Sequence, residues 1–283
     1  MILNIDQKNR IEEVIKGIIE SRIESFPDKT TQIRNAPFHK AILNCFSEKI
    51  KPLHIELPYL IAISSWLHGL NTSLGTGFES LAHIISGGYK RNFSSSFLLK
   101  VSHSQTQKIE EIIRDLKSGK LKPNLLHENN KIFTFSQNEK IVSALPFTVD
   151  NYVETDKSIK AIELKSVRPN SGEGRGEKQK ILYAKAAFKL LNPQKEIKFF
   201  IGFPFDPTSK IPTGYDKERF FNYLIEFKKF FDPEETLIGG ELWDYLSGGK
   251  STMEEILEVI AETVKKIKDN GAIILWVILF FTS

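Results

Sequence analysis

The stretch of residues 148–165, TVDNYVETDKSIKAIELK, constrains the fold more than any other part of the chain. Two segments rich in β-branched and aromatic residues, 149–154 and 159–167, flank the polar tetrapeptide TDKS, which has turn chemistry. This pattern predicts a β-hairpin. If the tetrapeptide forms the loop, antiparallel pairing places Asp150 directly opposite Glu163.

The predicted hairpin brings two acidic side chains and one basic side chain to one face. Like charges opposite each other on a sheet repel, so we expect a positive group between Asp150 and Glu163. The two-residue period of a strand places Lys165 on the face of Glu163 and turns Ile162 and Leu164 into a core on the other. Two carboxylates and a lysine on one face suit the binding of a divalent cation with oxygen ligands, such as Mg²⁺, and this is the chemistry of phosphodiester hydrolysis. On these residues alone, solvent-exposed strand charges explain the pattern equally well.

Composition sets wide limits on the class of protein. The 283 residues are 41% hydrophobic and 26% charged, enough for one large domain or one domain with a helical extension. A net charge of +4 permits a polyanionic partner without requiring one. The single Cys45 excludes an internal disulfide, and the charged N-terminal residues are not typical of a signal sequence, so we expect a cytoplasmic protein. The apolar run 272–281 is shorter than the ~20 residues of a membrane-spanning helix, so we expect no membrane anchor.

Helical periodicity dominates the N-terminal half of the chain. Two successive helices are predicted on either side of the tripeptide NTS at 71–73, whose side chains are typical N-caps. Glu79 lies among apolar residues of the second helix, where a buried carboxylate needs a cation or a metal; exposure on the polar side of the helix is the alternative. Lys90 and Arg91, in a basic loop predicted after this helix, either contact phosphates or belong to the solvated surface.

The C-terminal half is predicted to centre on a sheet. Strands at 131–135 and 141–149 lead into the hairpin, and a helix over 177–191 followed by an apolar strand over 197–203 predicts a crossover between parallel strands. The expected fold is α/β, with a mixed central β-sheet flanked by helices and a helical N-terminal part. The predicted division, within one continuous domain, is a helical part over 1–130 and a core with C-terminal helices over 131–283.

The segment that follows the hairpin, SVRPNSGEGRGEKQK, is polar, glycine-rich and basic. Arg168, Asn170, Arg175 and Lys178 are of the residue types that hydrogen-bond to guanine, adenine and phosphate. They are therefore predicted to contact DNA from a loop that leaves the second strand of the hairpin. The glycines lack the spacing of a nucleotide-binding fingerprint, and a flexible connector is the alternative.

Four segments carry a resemblance to a known family: IAISSWLHGLNTSLGTGFESLAHIISGG, VDNYVETDKSIKAIELKSVRPNSGEGRGEKQKIL, EIKFFIGFPFDPT and RFFNYLIEFKKFFDPEETLIGGELWDYLSG. Together they span about residues 61–248 and resemble the TdeIII family of type II restriction endonucleases, within the PD-(D/E)XK nuclease superfamily. The resemblance implies that Asp150, Glu163 and Lys165 are catalytic, and that Glu79 joins the two acidic residues as a ligand of Mg²⁺. A valine, rather than the proline of the superfamily name, precedes Asp150.

The same resemblance implies an activity and partners. We expect a Mg²⁺-dependent endonuclease that cuts double-stranded DNA at a short palindromic, G/C-rich site, with GGNCC as the candidate. A two-fold symmetric site calls for a homodimer, and a restriction system implies a cognate DNA methyltransferase. The alternative is a PD-(D/E)XK-like DNA-binding protein that has lost cleavage or acts within a repair complex. The presence of Asp150, Glu163 and Lys165 together argues against lost cleavage.

Overall fold

The structure is a computed structural model that describes most of the chain. Two of the residues predicted to contact DNA, Arg168 and Asn170, lie outside the described residues, as does the apolar run 272–281. Among the residues that are described, no helix is long and apolar enough to cross a membrane. The described ranges are 1–27, 36–94, 97–136, 138–165 and 171–269.

The chain forms two compact units. The larger consists of Met1–Gln7 and Phe78–Leu257 and holds the β-sheets, whereas helices make up the described part of the smaller, Lys8–Gly77 with Glu258–Ser283. The α-helices of the described residues are α1 (Ile5–Ile23), α2 (Pro37–Asn44), α3 (Ser47–Ile50), α4 (Leu57–Ser86), α5 (His103–Ser118), α6 (Leu125–Phe133), α7 (Ser171–Leu191), α8 (Lys217–Tyr223), α9 (Ile225–Lys228), α10 (Gly240–Ser247) and α11 (Thr252–Asp269).

The strands of the larger unit are β1 (Tyr89–Phe93), β2 (Lys100–Ser102), β3 (Ile141–Ser143), β4 (Phe147–Glu154), β5 (Ser158–Leu164), β6 (Glu196–Phe203) and β7 (Thr236–Ile238). A five-stranded sheet has the order β1-β4-β5-β6-β7, and β2 pairs with β3 separately. The β1-β4 and β4-β5 pairs are antiparallel, whereas the β5-β6 and β6-β7 pairs are parallel. The predicted mixed sheet with flanking helices is confirmed, and α7 forms the predicted connection between parallel strands.

The register of the β4-β5 hairpin is the one predicted from the sequence. Tyr152 pairs with Ala161, and continuing this register along the strands brings Asp150 opposite Glu163. The backbone N–H of Leu164 donates a hydrogen bond of 3.0 Å to Asp150 Oδ2, which ties the first carboxylate to the neighbouring strand. The two acidic side chains therefore meet at the end of the hairpin away from its turn.

Both faces of β5 are covered by other elements. Ala161 belongs to the main hydrophobic core, together with residues of α5 and α7. Ile162 and Leu164 face the other side, where a Cβ at Gly202 would come within 3.1 Å of both of them and within 2.9 Å of Leu242 in α10. Glycine at position 202 thus allows α10 to pack closely on the sheet. The predicted orientation of Ile162 and Leu164 is confirmed.

The predicted break in the long N-terminal helix is wrong, because α4 runs unbroken through residues 71–73. Thr72 Oγ1 donates to the His68 carbonyl at 3.1 Å, and Ser73 Oγ donates to the Gly69 carbonyl at 3.2 Å. These hydroxyls bond backwards within the helix instead of capping a new one.

The strand predicted at 131–135 is also wrong, because α6 covers its first three residues. The side chain of Asn124 accepts a hydrogen bond of 2.7 Å from the backbone N–H of His127 and so caps this helix. The preference of the local residues for a strand is overridden by this cap and by packing, since Ile132 of α6 is fully buried in the core.

Two segments predicted as loops are regular elements. Residues 89–92 belong to β1, the edge strand beside β4, and residues 171–176 form the first turns of α7. A Cβ at Gly174 would lie 3.4 Å from the ring of Phe227, an ordinary contact distance, so the start of α7 packs against α9. Lys90 and Arg91 therefore extend from a strand, and Arg175 and Lys178 from a helix.

Candidate active site

Asp150 lies at the end of the hairpin, where one carboxylate oxygen is held by a hydrogen bond and the other faces the ammonium group of Lys90. Its Oδ2 accepts the Leu164 N–H, and its Oδ1 lies 3.5 Å from Lys90 Nζ. His83 of α4 also contacts this residue, since its Nε2 donates to the Asp150 carbonyl oxygen at 2.6 Å. The end of α4 and the backbone of β5 thus set the position of Asp150 from two sides.

Glu163 is 5% exposed, and its two oxygens have different surroundings. Oε1 lies 3.0 Å from Lys165 Nζ and 2.7 Å from Lys180 Nζ. Oε2 is buried and has no hydrogen-bond partner among the described residues. Burial, followed by the negative charge of Asp150, raises the pKa of Glu163, and the two lysines only partly oppose this. The carboxylate is therefore short of positive charge on its Oε2 side.

Lys165 bridges β5 and α7. Its Nζ lies 3.0 Å from Glu163 Oε1 and 2.9 Å from Glu177 Oε1. Burial lowers the pKa of Lys165, but the two carboxylates outweigh burial and raise the pKa above its usual value. With these partners, Lys165 is a protonated cation at neutral pH.

Two residues of this cluster, Glu177 and Lys180, were not expected from the sequence. Lys180 Nζ lies 2.6 Å from Glu177 Oε2, and both side chains project from one face of α7 towards β5. Glu163, Lys165, Glu177 and Lys180 therefore form a closed ring of alternating charges. The i,i+3 spacing of Glu177 and Lys180 at the start of the predicted helix was the signal that could have revealed them, because residues at this spacing share a helix face.

Lys90 lies between the carboxylates of Glu79 and Asp150. Its Nζ is 2.8 Å from Glu79 Oε2 and 3.5 Å from Asp150 Oδ1. The hydrogen bond to Glu79 is the largest influence on the pKa of Lys90 and raises it, although burial opposes the change. The structure thus places Glu79 near Asp150, with the ammonium group of Lys90 between them.

Lys178 does not contact DNA in this fold, and that prediction is wrong. Its side chain is fully buried and forms ion pairs with Glu128 of α6 and with Glu235. Lys185, about two turns further along α7, is also buried and lies 3.3 Å from Glu235. Because residues 171–176 are helical, Lys178 points to the core side of α7, away from the face that carries Glu177.

The remaining candidates for DNA contacts differ in their surroundings. Arg91 lies 3.2 Å from Glu154, and its guanidinium stacks 4.6 Å from the centre of the Tyr152 ring, so it is engaged within the sheet. Arg175 is exposed on the first turns of α7. Lys90 is half exposed and already paired with carboxylates.

The carboxylates of the site meet part of what a divalent cation requires. Among the described residues, no three His, Cys, Asp or Glu side chains are grouped closely enough to share a metal ion. Asp150 and Glu163 nevertheless fit as a pair of oxygen ligands, since they lie opposite each other and Glu163 Oε2 lacks a partner. Water would complete the coordination, as is usual for Mg²⁺.

Comparison with known proteins identifies the family. The family model for HinfI, a type II restriction endonuclease, matches residues 3–264, which include every residue of the charged cluster. The chain is also 46% identical over 267 residues to the type II restriction enzyme MjaII of Methanocaldococcus jannaschii, covering 93% of this chain and 71% of that enzyme. The expected class is thus confirmed, whereas the TdeIII assignment is not confirmed by these matches. The chain belongs to the HinfI family of type II restriction endonucleases.

Proposed function

We propose that this restriction endonuclease cuts double-stranded DNA with a PD-(D/E)XK-type site in which Asp150 and Glu163 bind Mg²⁺ and Lys165 is the catalytic lysine. The observation that carries the proposal is the position of Asp150 opposite Glu163, with Glu163 Oε2 buried and without a partner in the described structure. A buried carboxylate oxygen without a partner is costly, and a cation would remove that cost.

The residues of the site would divide the work of phosphodiester hydrolysis. A divalent cation at Asp150 and Glu163 would supply Lewis acidity towards the scissile phosphate and lower the pKa of water. Protonated Lys165 donates hydrogen bonds to the phosphate oxygen on which negative charge develops. Glu177 keeps one contact to Lys165 while this happens, so the ammonium group stays in place.

Glu79 and Lys90 are proposed to act together at the edge of this site. Lys90 is half exposed, so its side chain can leave Glu79 and Asp150 for a DNA phosphate. That movement would free Glu79 to turn towards the cation as a further ligand, since in the present arrangement no three such side chains are grouped closely enough among the described residues. Arg91 and Arg175, with Arg168 and Asn170 of the intervening segment, are proposed as additional DNA contacts.

The recognition sequence and the assembly are proposed from the symmetry of the reaction. A short palindrome of the GGNCC type needs two active sites related by a two-fold axis, which a homodimer supplies. A cognate methyltransferase that modifies the same sequence would protect the host DNA. The sequence GGNCC rests on the sequence resemblance, and mapping the cut sites tests it directly.

Digestion of a sequenced plasmid tests the proposal. With Mg²⁺ we expect discrete fragments whose sequenced ends share one short palindrome, and with EDTA in place of Mg²⁺ we expect intact plasmid. Asp150→Ala serves as the matched control for a contaminating nuclease. Gel retardation of the plasmid without cutting, under all metal conditions, would instead support a DNA-binding protein that has lost cleavage.

A further inference from the structure

A long loop leaves the central sheet beside the candidate active site. β5 and β6 are parallel, with Leu164 paired to Gly202, so both strands end at the same edge of the sheet. The backbone N–H of Lys165 donates to the Gly202 carbonyl at 2.9 Å. β6 ends at Phe203, and the chain then forms the loop 204–216 before α8 begins. The loop therefore starts two residues after the carbonyl that holds the backbone of the catalytic lysine.

The loop 204–216 is built around the buried carboxylate of Asp206. This carboxylate accepts hydrogen bonds from the N–H and the hydroxyl of Thr208 at 2.8 and 2.6 Å. It also accepts the Asp216 N–H at 3.1 Å and the Arg219 guanidinium at 3.2 Å. Asp206 thus ties the first part of the loop to its last residue and to α8. Such a network fixes one backbone conformation.

The middle of the loop is fixed as well. The Thr213 carbonyl accepts the Gly240 N–H at 3.3 Å, which joins the loop to the start of α10. The Gly214 N–H donates to the Ile211 carbonyl at 3.0 Å, and a Cβ at Gly214 would come within 2.9 Å of Ser209 Oγ. A tight turn at Gly214 therefore holds Ile211 at the surface.

This ordered loop nevertheless presents large apolar side chains to solvent. Ile211 is 65% exposed, Tyr215 46% and Phe205 38%, and Lys210 is exposed beside them. Exposed apolar groups on a fixed segment, at the edge of a functional site, are typical of a surface that a partner covers. The chain belongs to a family of DNA-cutting enzymes, so DNA is the partner expected here. Lys210 adds a positive charge beside Ile211, Tyr215 and Phe205.

We propose that the loop 204–216 packs against base edges of double-stranded DNA next to the scissile phosphate, with Ile211 and Tyr215 as specificity-determining residues and Lys210 on a phosphate. The inference rests on the proposed cleavage at Asp150 and Glu163. Apolar side chains discriminate bases by contact with the thymine methyl group or by insertion at a base step. A fixed loop suits this role, because little backbone conformational entropy is lost when DNA binds.

The test uses the full chain and duplexes that carry the palindrome mapped from the plasmid digest. Ile211→Ala, Tyr215→Ala and the double variant are compared with wild type for affinity in EDTA and for cleavage of the mapped site and its single-base variants. Leu191→Ala is the control, since Leu191 is 61% exposed at the other end of α7. We expect the double variant to lose about tenfold in affinity or in discrimination between sites, with an unchanged melting curve. The control should match wild type.

A second measurement uses the wild-type protein, so it does not depend on the folding of a variant. Lysine acetylation followed by mass spectrometry should show Lys210 protected at least several-fold by the duplex, whereas Lys198 on β6, whose side chain is 41% exposed, stays reactive. The inference about the loop is overturned if wild type cuts DNA, the variants have affinity and discrimination within twofold of wild type, and the duplex does not protect Lys210. That result would leave the proposed cleavage function standing. Variants that change only the oligomeric state on size exclusion would also overturn it. If wild type neither binds nor cuts the duplex, the proposed function fails as well.

Discussion

Lys180 Nζ lies 2.7 Å from Oε1 of Glu163, in a contact that joins α7 to the central sheet. Lys165 approaches the same oxygen, so both ammonium groups lie on one side of the carboxylate. The other oxygen is buried without a hydrogen-bond partner in the described structure. Lys165 and Lys180 thus supply positive charge to Oε1 of Glu163. The Oε2 side of the same carboxylate has no such cation in the described structure.

Lys180→Gln should strengthen the binding of the cation. The ammonium group of Lys180 competes with a metal for the charge of Glu163, so its removal should lower the Mg²⁺ concentration for half-maximal cleavage by about tenfold at an effective dielectric near 20. Titration of cleavage with Mg²⁺, and calorimetry with Mg²⁺ in the absence of DNA, measure this. An unchanged or higher Mg²⁺ requirement in both assays would show that Lys180 is not a competitor.

Asp150→Ala should abolish cleavage while affinity for the cognate duplex stays within about tenfold of wild type or increases. Removing a carboxylate that faces phosphates removes a ligand of the cation and also removes repulsion. Single-turnover cleavage and fluorescence anisotropy on the same duplex separate the two effects. Near-normal cutting by Asp150→Asn would contradict the role of Asp150 as a metal ligand.

Lys165→Ala should reduce the cleavage rate by several orders of magnitude and also lower stability, because Glu163 and Glu177 both lose a cation. Lys165→Arg should not restore the rate, because a planar guanidinium does not replace a compact ammonium between Glu163 and Glu177. Lys157 in the turn and Lys160 on the opposite face are the control positions, where alanine should be tolerated. An active Lys165→Ala enzyme beside an inactive Lys160→Ala enzyme would place the catalytic face on the other side of β5.

Glu163→Gln should raise thermal stability at neutral and higher pH. Burial first, and then Asp150, raise the folded-state pKa of Glu163, so the folded chain binds this proton more tightly than the unfolded chain does. The ionised carboxylate therefore costs stability above its folded pKa, and the cost disappears as the pH falls below the unfolded pKa. At pH 8 the Glu163→Gln variant should melt at a higher temperature than wild type. This difference in melting temperature should shrink towards pH 4. A difference that grows as the pH falls would have the wrong sign.

Two tyrosine substitutions should have opposite effects on the free energy of unfolding. Burial raises the pKa of Tyr245 to about 12, and its hydroxyl is buried with no hydrogen-bond partner in the described structure. Tyr152 instead donates to Glu154 Oε2 at 2.7 Å. Tyr245→Phe should therefore stabilise the fold by about 1 kcal/mol, and Tyr152→Phe should destabilise it by about 1–2 kcal/mol. Urea unfolding measures both, and equal effects of the two changes would contradict the assignment.

The parts of the site that could be predicted from the sequence depend on local geometry. The strand period of two and the length of the turn place Asp150, Glu163 and Lys165 on one face of the hairpin, and the structure has this register. Lys178 was misplaced because the glycines at 172, 174 and 176 suggested a loop, whereas α7 begins at Ser171. Its partner Glu235 lies 57 residues away in the chain, and no short-range pattern reports such a contact.

The ring at Glu163 shows the same limit. Glu177 and Lys180 were included in a predicted helix, but which face of that helix meets β5 is decided by packing across the sheet. The long α4 was divided in the prediction for a related reason. Serine and threonine side chains serve equally as caps and as partners of carbonyl groups within a helix, and the sequence does not distinguish these roles.

The charges of α7 limit how related sequences can change in length. Glu177 and Lys180 contact Lys165 and Glu163, while Lys178 and Lys185 are buried against Glu235 on another side of the same helix. Each inserted or deleted residue turns the following part of a helix by about 100°. A single insertion within this stretch would therefore put a buried ammonium in solvent or remove a cation from Glu163. In functional relatives we expect the chain length between these four positions to stay constant, even where the surrounding residues differ.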